Sequence, residues 1–276
     1  MRATLSSNEE PQQFSDFLMT IGDGKYPVTE IPDKITLPKN IRTTDSLSDL
    51  IHTIYADIQT NYRNKQWLLE RAILAPLNNT VNQINHEVIS AFPGQELKYT
   101  AINKTLTTEE AVHFPTEFLD SLDIPGLPPH TLRLKKGCPV IILRSLNPPH
   151  ITNGTRCTIF KTYPNVLEVT ILNGPSSGEN AFIPRIPLVP SDSDLPFKFQ
   201  RLQFPMRPCF AMTINKAQGQ TFQSIGIDLQ EDVFSHGMLY VALSRVGSAT
   251  GLTLHTPRCP TRNVVFHEVL QSTSNT

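Results

Sequence analysis

The residues best equipped for chemistry fall in one segment, Phe210–Val246. Within it, Asn215-Lys216-Ala217-Gln218-Gly219-Gln220-Thr221 packs donors, amides, a hydroxyl and one glycine between two apolar runs. A loop of that kind suits phosphate. Its donors supply positive charge, and Gly219 lets the backbone turn sharply or approach an anion closely. Thr213, Asn215 and Lys216 have the side chains that contact nucleic-acid phosphates. Gln218 both donates and accepts, so it can bridge two polar ligands. An ordinary polar turn between two strands fits the same residues. Downstream, Arg245 ends a stretch in which Leu239, Val241, Ala242 and Leu243 read as a helix. A fixed guanidinium suits phosphate charge. A helix macrodipole also favours an arginine at that end.

The flanking pattern says what positions these groups. Cys209–Ile214 and Gln223–Leu229 are strand-length apolar runs, and Ser235 reads as the cap of the helix that carries Arg245. Loops at strand ends are where α/β sheets bind ligands. Upstream, Gln12–Ile21 reads as a short helix. Asp45 or Ser46 opens another, whose apolar stripe is Leu47, Leu50, Ile51, Ile54 and Ile58. Arg71–Ala75 is a buried-type strand stopped by Pro76, and Asn78 caps a helix with Val81, Ile84 and Val88 on one face. Leu97–Asn103 reads as a strand and Pro115–Leu122 as a short helix. From Leu132 to Pro190 the pattern changes to short strands, Val140–Arg144, Arg156–Tyr163, Val166–Leu172 and Ala181–Ile183, with hairpin signals at Asn153-Gly154 and Asn173-Gly174. That spacing suggests a compact barrel. Gly251–His255 and Asn263–Phe266 add further strands.

Charge is distributed unevenly, although the net charge is only -1. Residues 1–130 carry 10 basic and 17 acidic side chains, residues 131–220 carry 11 and 4, and residues 221–276 carry 3 and 4. The basic block overlaps the loop described above, where a nucleic acid would need it, though a solvated basic surface has the same composition. Cys138, Cys157, Cys209 and Cys259 form no C-x-x-C pair, which argues against a zinc site, and no spacing suggests another metal. The polar start MRATLSSNEEPQQF lacks a signal-peptide core, and no run nears the ~18 apolar residues of a membrane span. An intracellular protein without a membrane partner is expected.

Thr213–Thr221 and Tyr240-Val241-Ala242-Leu243-Ser244-Arg245-Val246 resemble the last two signature motifs of superfamily-1 DNA helicases of the petite-integration-frequency (PIF) type, in the branch carried by Helitron transposons. Leu127–His130, Leu132–Gly137, Asn153–Arg156, Phe182–Pro187 and Leu195–Lys198 resemble that branch in the same order. The resemblance implies an α/β fold: a second RecA-like domain, its parallel sheet flanked by helices, with a small SH3-like β-barrel inserted. It divides the chain into a connector with an amphipathic helix (1–65), the first part of the RecA-like domain (66–130), the barrel (131–200) and the second part (201–276). It implies Arg245 as a catalytic arginine finger, nucleotide contacts from Gln218, Gly219 and Arg245, and single-stranded DNA contacts from Thr213, Asn215, Lys216 and Asn78. Lys135, Lys136 and Arg156 would give the barrel a DNA surface. Phe160, Tyr163 and Phe182 could stack on bases or fill the core. His236 could touch DNA or sit in the first turn of its helix.

Two departures weaken individual contacts. Leu77 stands where the family more often has threonine, and Asn215 where cellular members have histidine. The larger departure is the missing phosphate loop, G-x-x-x-x-G-K-[ST]. Gly24-Lys25 is followed by Tyr26, and the Ile225–Asp228 run ends in a single Asp followed by Leu229 rather than an Asp-Glu pair. ATP and Mg²⁺ are therefore expected only together with an N-terminal RecA-like motor domain absent from this chain. The expected whole is an ATP-dependent 5′-to-3′ DNA helicase in the nucleus, of which this is the C-terminal half. The alternatives are a non-enzymatic single-stranded DNA-binding module and an inert transposon remnant.

Overall fold

A computed structural model describes residues 9–107, 113–190, 195–266 and 268. The described residues form two compact units, one within 1–61, 66–88 and 210–276, the other within 62–65 and 89–209. The second unit starts well before residue 131, so the 89–130 stretch expected in the RecA-like part falls in the inserted unit.

The first unit is built on a five-stranded sheet in the order Ala211–Thr213, Arg71–Ala75, Ser224–Asp228, Leu252–His255, Arg42–Thr44. All its pairings are parallel. A parallel sheet is covered on both faces, so its strands must be apolar throughout rather than alternating. Ala72, Ile73, Leu74 and Ala75 are accordingly all fully buried. The helix Leu47–Tyr55 starts where expected: the Ser46 hydroxyl accepts the Asp49 amide at 3.1 Å. It buries Leu50, Ile54 and Tyr55, and the Tyr55 hydroxyl donates to the Phe210 carbonyl at 2.6 Å. Ile58 does not continue this stripe but opens a separate turn, Ile58–Asn61.

This helix approaches the sheet closely at Gly226. A Cβ there would lie 3.0 Å from Ile54, 3.1 Å from Ile73 and 3.1 Å from Leu50. Gly226→Val is therefore expected to cost about 1–3 kcal/mol by overpacking. Urea denaturation of the two proteins checks this; an unchanged midpoint would mean the helix moves away without penalty.

The helix Asn78–Ala91 buries Val81, Ile84 and Val88, as the stripe predicts. It also carries Asn85, whose side-chain amide exchanges two hydrogen bonds with the backbone of Ala211, each 2.9 Å. Asn85 thus does for the edge strand Ala211–Thr213 what a neighbouring strand would do. Among the described residues no helix is long and apolar enough to cross a membrane.

The second unit is antiparallel. Five strands run in the order Asn180–Pro184, Val166–Ile171, Arg156–Thr162, Pro139–Ile142, Met206–Pro208. Three more run Ile186–Leu188, Phe199–Gln203, Ile102–Thr105, and Leu97–Thr100 pairs with Thr131–Leu134. The single strand expected over Leu97–Asn103 is thus two. They part at Ala101, whose amide turns to the His130 carbonyl at 2.8 Å. Gly154 and Gly174, the two hairpin glycines, have φ of 91° and 88°, as their Asn-Gly pairs require. Leu119, Ile124, Leu127, Leu188, Phe197 and Phe199 form one of its core clusters.

Cys138, Cys157 and Cys209 are buried free thiols in this unit. Burial pushes the Cys138 and Cys157 thiols up to about 12, which keeps them protonated and unreactive. Among the described residues no group of His, Cys, Asp and Glu could hold a metal ion.

Candidate functional site

The carboxyl edge of the parallel sheet gathers the polar loops of the first unit. Thr213 ends its strand opposite Ala75. The chain then makes a tight helical turn over Ile214–Ala217. Ile214 and Ala217 are fully buried and pin the turn, which leaves Asn215 and Gln218 exposed and Lys216 half-buried. On the adjacent strand Ala75 leads through Pro76 and Leu77 to Asn78, which is exposed. Asn78, Thr213, Asn215 and Lys216 therefore lie at the ends of neighbouring strands, on the edge where α/β sheets take ligands. The cap at Asn78 is corrected. The Leu77 carbonyl accepts the Val81 amide at 3.2 Å, so Leu77 is the capping residue and Asn78 already begins the helix.

Gly219 follows in the left-handed region, at φ +81°, with nothing within 4 Å of the Cβ position. Conformation, rather than room, calls for glycine here. Gly219, Gln220, Thr221, Tyr240, Ser244 and Arg245 line a cleft of about 340 Å³, with Ser15 and Met19 of the Glu9–Gly22 helix forming another wall. Gln218 is not in this lining; it sits exposed beside it.

The Arg245 side chain is anchored. Its Nε donates to the Val241 carbonyl at 2.7 Å, and its two terminal nitrogens donate to Ser244 Oγ at 2.7 Å and the Gln220 carbonyl at 3.3 Å. Its own carbonyl accepts the Phe222 amide at 2.9 Å. The bond to Val241 is the helix-end contact expected of a structural arginine. The bond to Gln220 holds the polar loop and the guanidinium in one cleft, as a phosphate site requires. Among the described residues no carboxylate lines that cleft. It can thus offer positive charge to a phosphate but, among those residues, brings it no carboxylate with which to hold a magnesium ion.

The helix beneath Arg245 differs from expectation. It spans Met238–Leu243, and its cap is Gly237, at φ 67°, rather than Ser235. Ser235 accepts the Met238 amide only through its carbonyl, at 3.2 Å. His236 precedes the helix, and its Nδ1 accepts the Phe266 amide at 2.9 Å. The strand expected over Asn263–Phe266 is absent: Thr261–Arg262 is the strand, the Asn263 backbone N–H donates to the Asp33 carbonyl at 2.7 Å, and its side-chain Nδ2 donates to the Ile21 carbonyl at 3.0 Å.

In the second unit two proposed DNA contacts are overturned. Lys135 is buried, and its ammonium donates to the carbonyls of Ser90 at 3.2 Å and Phe92 at 2.6 Å, where it satisfies the end of a helix. Arg156 is 1% exposed and hydrogen-bonds the Cys209 thiol. Neither faces solvent. Lys136 does. So do Phe160, Tyr163 and Phe182, which removes the core alternative for these aromatics.

Asn85, Tyr240 and Ser244 escaped the sequence reading. Asn85 had a usable signal, since it sits four residues after Val81 on a buried stripe, where an amide needs partners. Tyr240 and Ser244 lay inside a quoted motif but had no role until the cleft existed.

The comparisons with known proteins point one way. The family model for the 2B domain of DNA helicase Pif1 matches residues 117–161. The ATP-dependent DNA helicase PIF6 of Trypanosoma brucei brucei is 32% identical over 158 residues, covering 52% of this chain and 20% of that protein. The ATP-dependent DNA helicase Pif1 of Bdellovibrio bacteriovorus is 29% identical over 167 residues, covering 60% and 37%. The crystal structure of Pif1 helicase from Bacteroides in complex with ADP-AlF3 and ssDNA superposes with a TM-score of 0.63 at 19% identity, covering 98% of this chain and 54% of that one. At that identity the likeness carries the fold. The chain spans about half of that helicase and less of the two curated relatives. Together they support the C-terminal portion of a PIF-type superfamily-1 helicase.

Proposed function

We infer that this C-terminal portion of a PIF-type superfamily-1 helicase is one half of an ATP-driven, 5′-to-3′ DNA motor and does not hydrolyse ATP alone. The observation that carries the reading is the cleft in which Arg245, Gly219 and the Gln220 backbone meet, with positive charge and, among the described residues, no carboxylate. Such a cleft suits an arginine finger, acting on a nucleotide whose phosphates and magnesium are held by an upstream RecA-like domain. Gln218 and Gly219 border that nucleotide. The neighbouring edge with Asn78, Thr213, Asn215 and Lys216 is one stretch of a single-stranded DNA track. Nucleotide binding closes the two RecA-like domains, hydrolysis reopens them, and the grip on DNA alternates with the cycle. The antiparallel second unit corresponds to the inserted SH3-like barrel, the late motifs favour the Helitron branch, and a nuclear site fits the substrate.

The test is the protein encoded by the complete transcript. It is expected to carry a phosphate loop ahead of residue 1 and to unwind a duplex with a 5′ tail when given ATP. A coding sequence that starts at Met1 would sink the motor and leave the alternative favoured by the missing phosphate loop, a binding module without turnover. In either protein, Lys216→Ala is expected to weaken oligothymidylate binding and lower the salt slope by about one. Titrations at several salt concentrations check this, and an unchanged slope would remove Lys216 from the track.

A further inference from the structure

The antiparallel sheet of the second unit breaks its own alternation at one place. Ile159 pairs with Val169 and Lys161 with Glu168, so Phe160 is the extra residue of a β-bulge. Regular alternation would send one of Phe160 and Lys161 inward. The bulge turns both outward, while Ile159 stays buried. Bulges commonly re-aim a side chain in this way. Phe160 is 38% exposed, with the Lys161 ammonium 5.3 Å and the Lys136 ammonium 6.0 Å from its ring centre.

The same face continues across the sheet. Lys161 pairs with Glu168, and Glu168 with Phe182, so the three side chains stand in one row. Phe182 is 64% exposed, two strands from Lys161, or about 10 Å. Glu168 is mostly buried between them; it accepts the Asn180 amide at 3.1 Å and holds Lys161 at 3.6 Å. Glu168 therefore steadies Lys161 rather than presenting a free negative charge. Tyr163, just past the end of that strand, is also exposed.

Large aromatics left in water beside ammonium groups cost hydrophobic energy unless something covers them. Flat rings next to cations on a sheet surface are what single-stranded nucleic acid requires: bases stack on the rings and phosphates meet the lysines. This surface lies within the segment where basic residues outnumber acidic ones by 11 to 4, so its charge matches a polyanion. We propose that Phe160 and Phe182, with Lys136 and Lys161, form a base-stacking platform for single-stranded DNA on the second unit. This platform is separate from the track at the edge of the parallel sheet and does not depend on that reading.

The experiment is fluorescence anisotropy of the whole chain with labelled oligothymidylate and with an abasic strand of the same length. Phe160→Ala and Phe182→Ala are each expected to weaken oligothymidylate binding about ten-fold. They should leave abasic-strand binding unchanged, and Phe160→Tyr should restore affinity where Phe160→Leu does not. Lys136→Ala and Lys161→Ala should weaken both strands alike and lower the salt slope. The substituted side chains are exposed, and an unchanged thermal midpoint confirms the fold. Equal losses on abasic and thymidine strands would overturn stacking. Unaltered affinity in both phenylalanine variants, or no binding by the wild-type chain, would overturn the platform. Tighter binding of oligouridylate with the same sensitivities would overturn DNA as its occupant. The Lys216→Ala result is read independently, so failure of the track and failure of the platform are distinguishable.

Discussion

Arg245→Ala in the protein encoded by the complete transcript is expected to lower DNA-stimulated ATP turnover by ~10³–10⁵-fold, the range for loss of an arginine finger. The side chain sits in the cleft with Gly219 and Thr221, and charge that develops on a transferring phosphate would meet a guanidinium already oriented by Val241, Ser244 and Gln220. Preorganised charge of this kind stabilises the transition state more than the ground state, so the loss should fall on kcat more than on KM. Arg245→Lys should rescue little, because one ammonium cannot make the same set of directed bonds.

A structural role predicts something else. Arg245 also ties the loop to the helix, so its removal could loosen Gly219 and Gln220 without any part in chemistry. In that case the thermal midpoint and oligonucleotide affinity would drop together, with KM rising as much as kcat falls. Turnover within a few-fold of wild type would sink the finger assignment. A fall in kcat with a preserved midpoint would support it.

The parallel sheet was readable because burial on both faces favours short runs of apolar residues, and Ala72–Ala75 and Ile225–Ile227 supply them inside Arg71–Ala75 and Gln223–Leu229. The loop residues were readable for the complementary reason: they interrupt such runs at strand ends. Lys135 and Arg156 were misread because a basic residue looks the same in sequence whether it faces a phosphate or a buried carbonyl. Which of the two holds is decided by the Ser90 and Phe92 carbonyls and the Cys209 thiol, all distant in the chain. The short strands Lys34–Ile35 and Arg42–Thr44 gave no periodicity, since strands of 2 and 3 residues are too short to repeat a two-residue alternation. The platform was half visible. Its aromatics were noted, but the bulge that exposes Phe160 arises from pairing with Val166–Ile171 and leaves no local mark.

Arg201→Ala is expected to destabilise the second unit by about 3 kcal/mol or more, from three buried acceptors that each lose a charged donor. Arg201 is fully buried, and burial pulls its pKa below the usual arginine value while Asp123 and Asp120 push it back. Its Nε donates to Asn103 Oδ1 at 2.8 Å, and its terminal nitrogens donate to the carbonyls of Pro128 at 2.9 Å and Leu122 at 2.8 Å. One side chain thereby joins the strand Phe199–Gln203 to the strand Ile102–Thr105 and to the segment from Leu122 to Pro128. The network extends further, since the Asn103 amide donates to Asp120 Oδ1 and to His130 Nδ1, each at 2.9 Å. Removing the guanidinium leaves three acceptors without a donor, at about 1–3 kcal/mol for each one kept from water. Arg201→Lys should recover only part of this, because a single ammonium cannot reach acceptors in three directions. Arg201→Met is the discriminating variant. It fills the volume without charge, and well-packed hydrophobic replacements of buried ionic groups are often neutral. If Met restored wild-type stability in urea denaturation, Arg201 would be filling space. If Met fails as Ala does, the three carbonyl and amide acceptors are what require an arginine there.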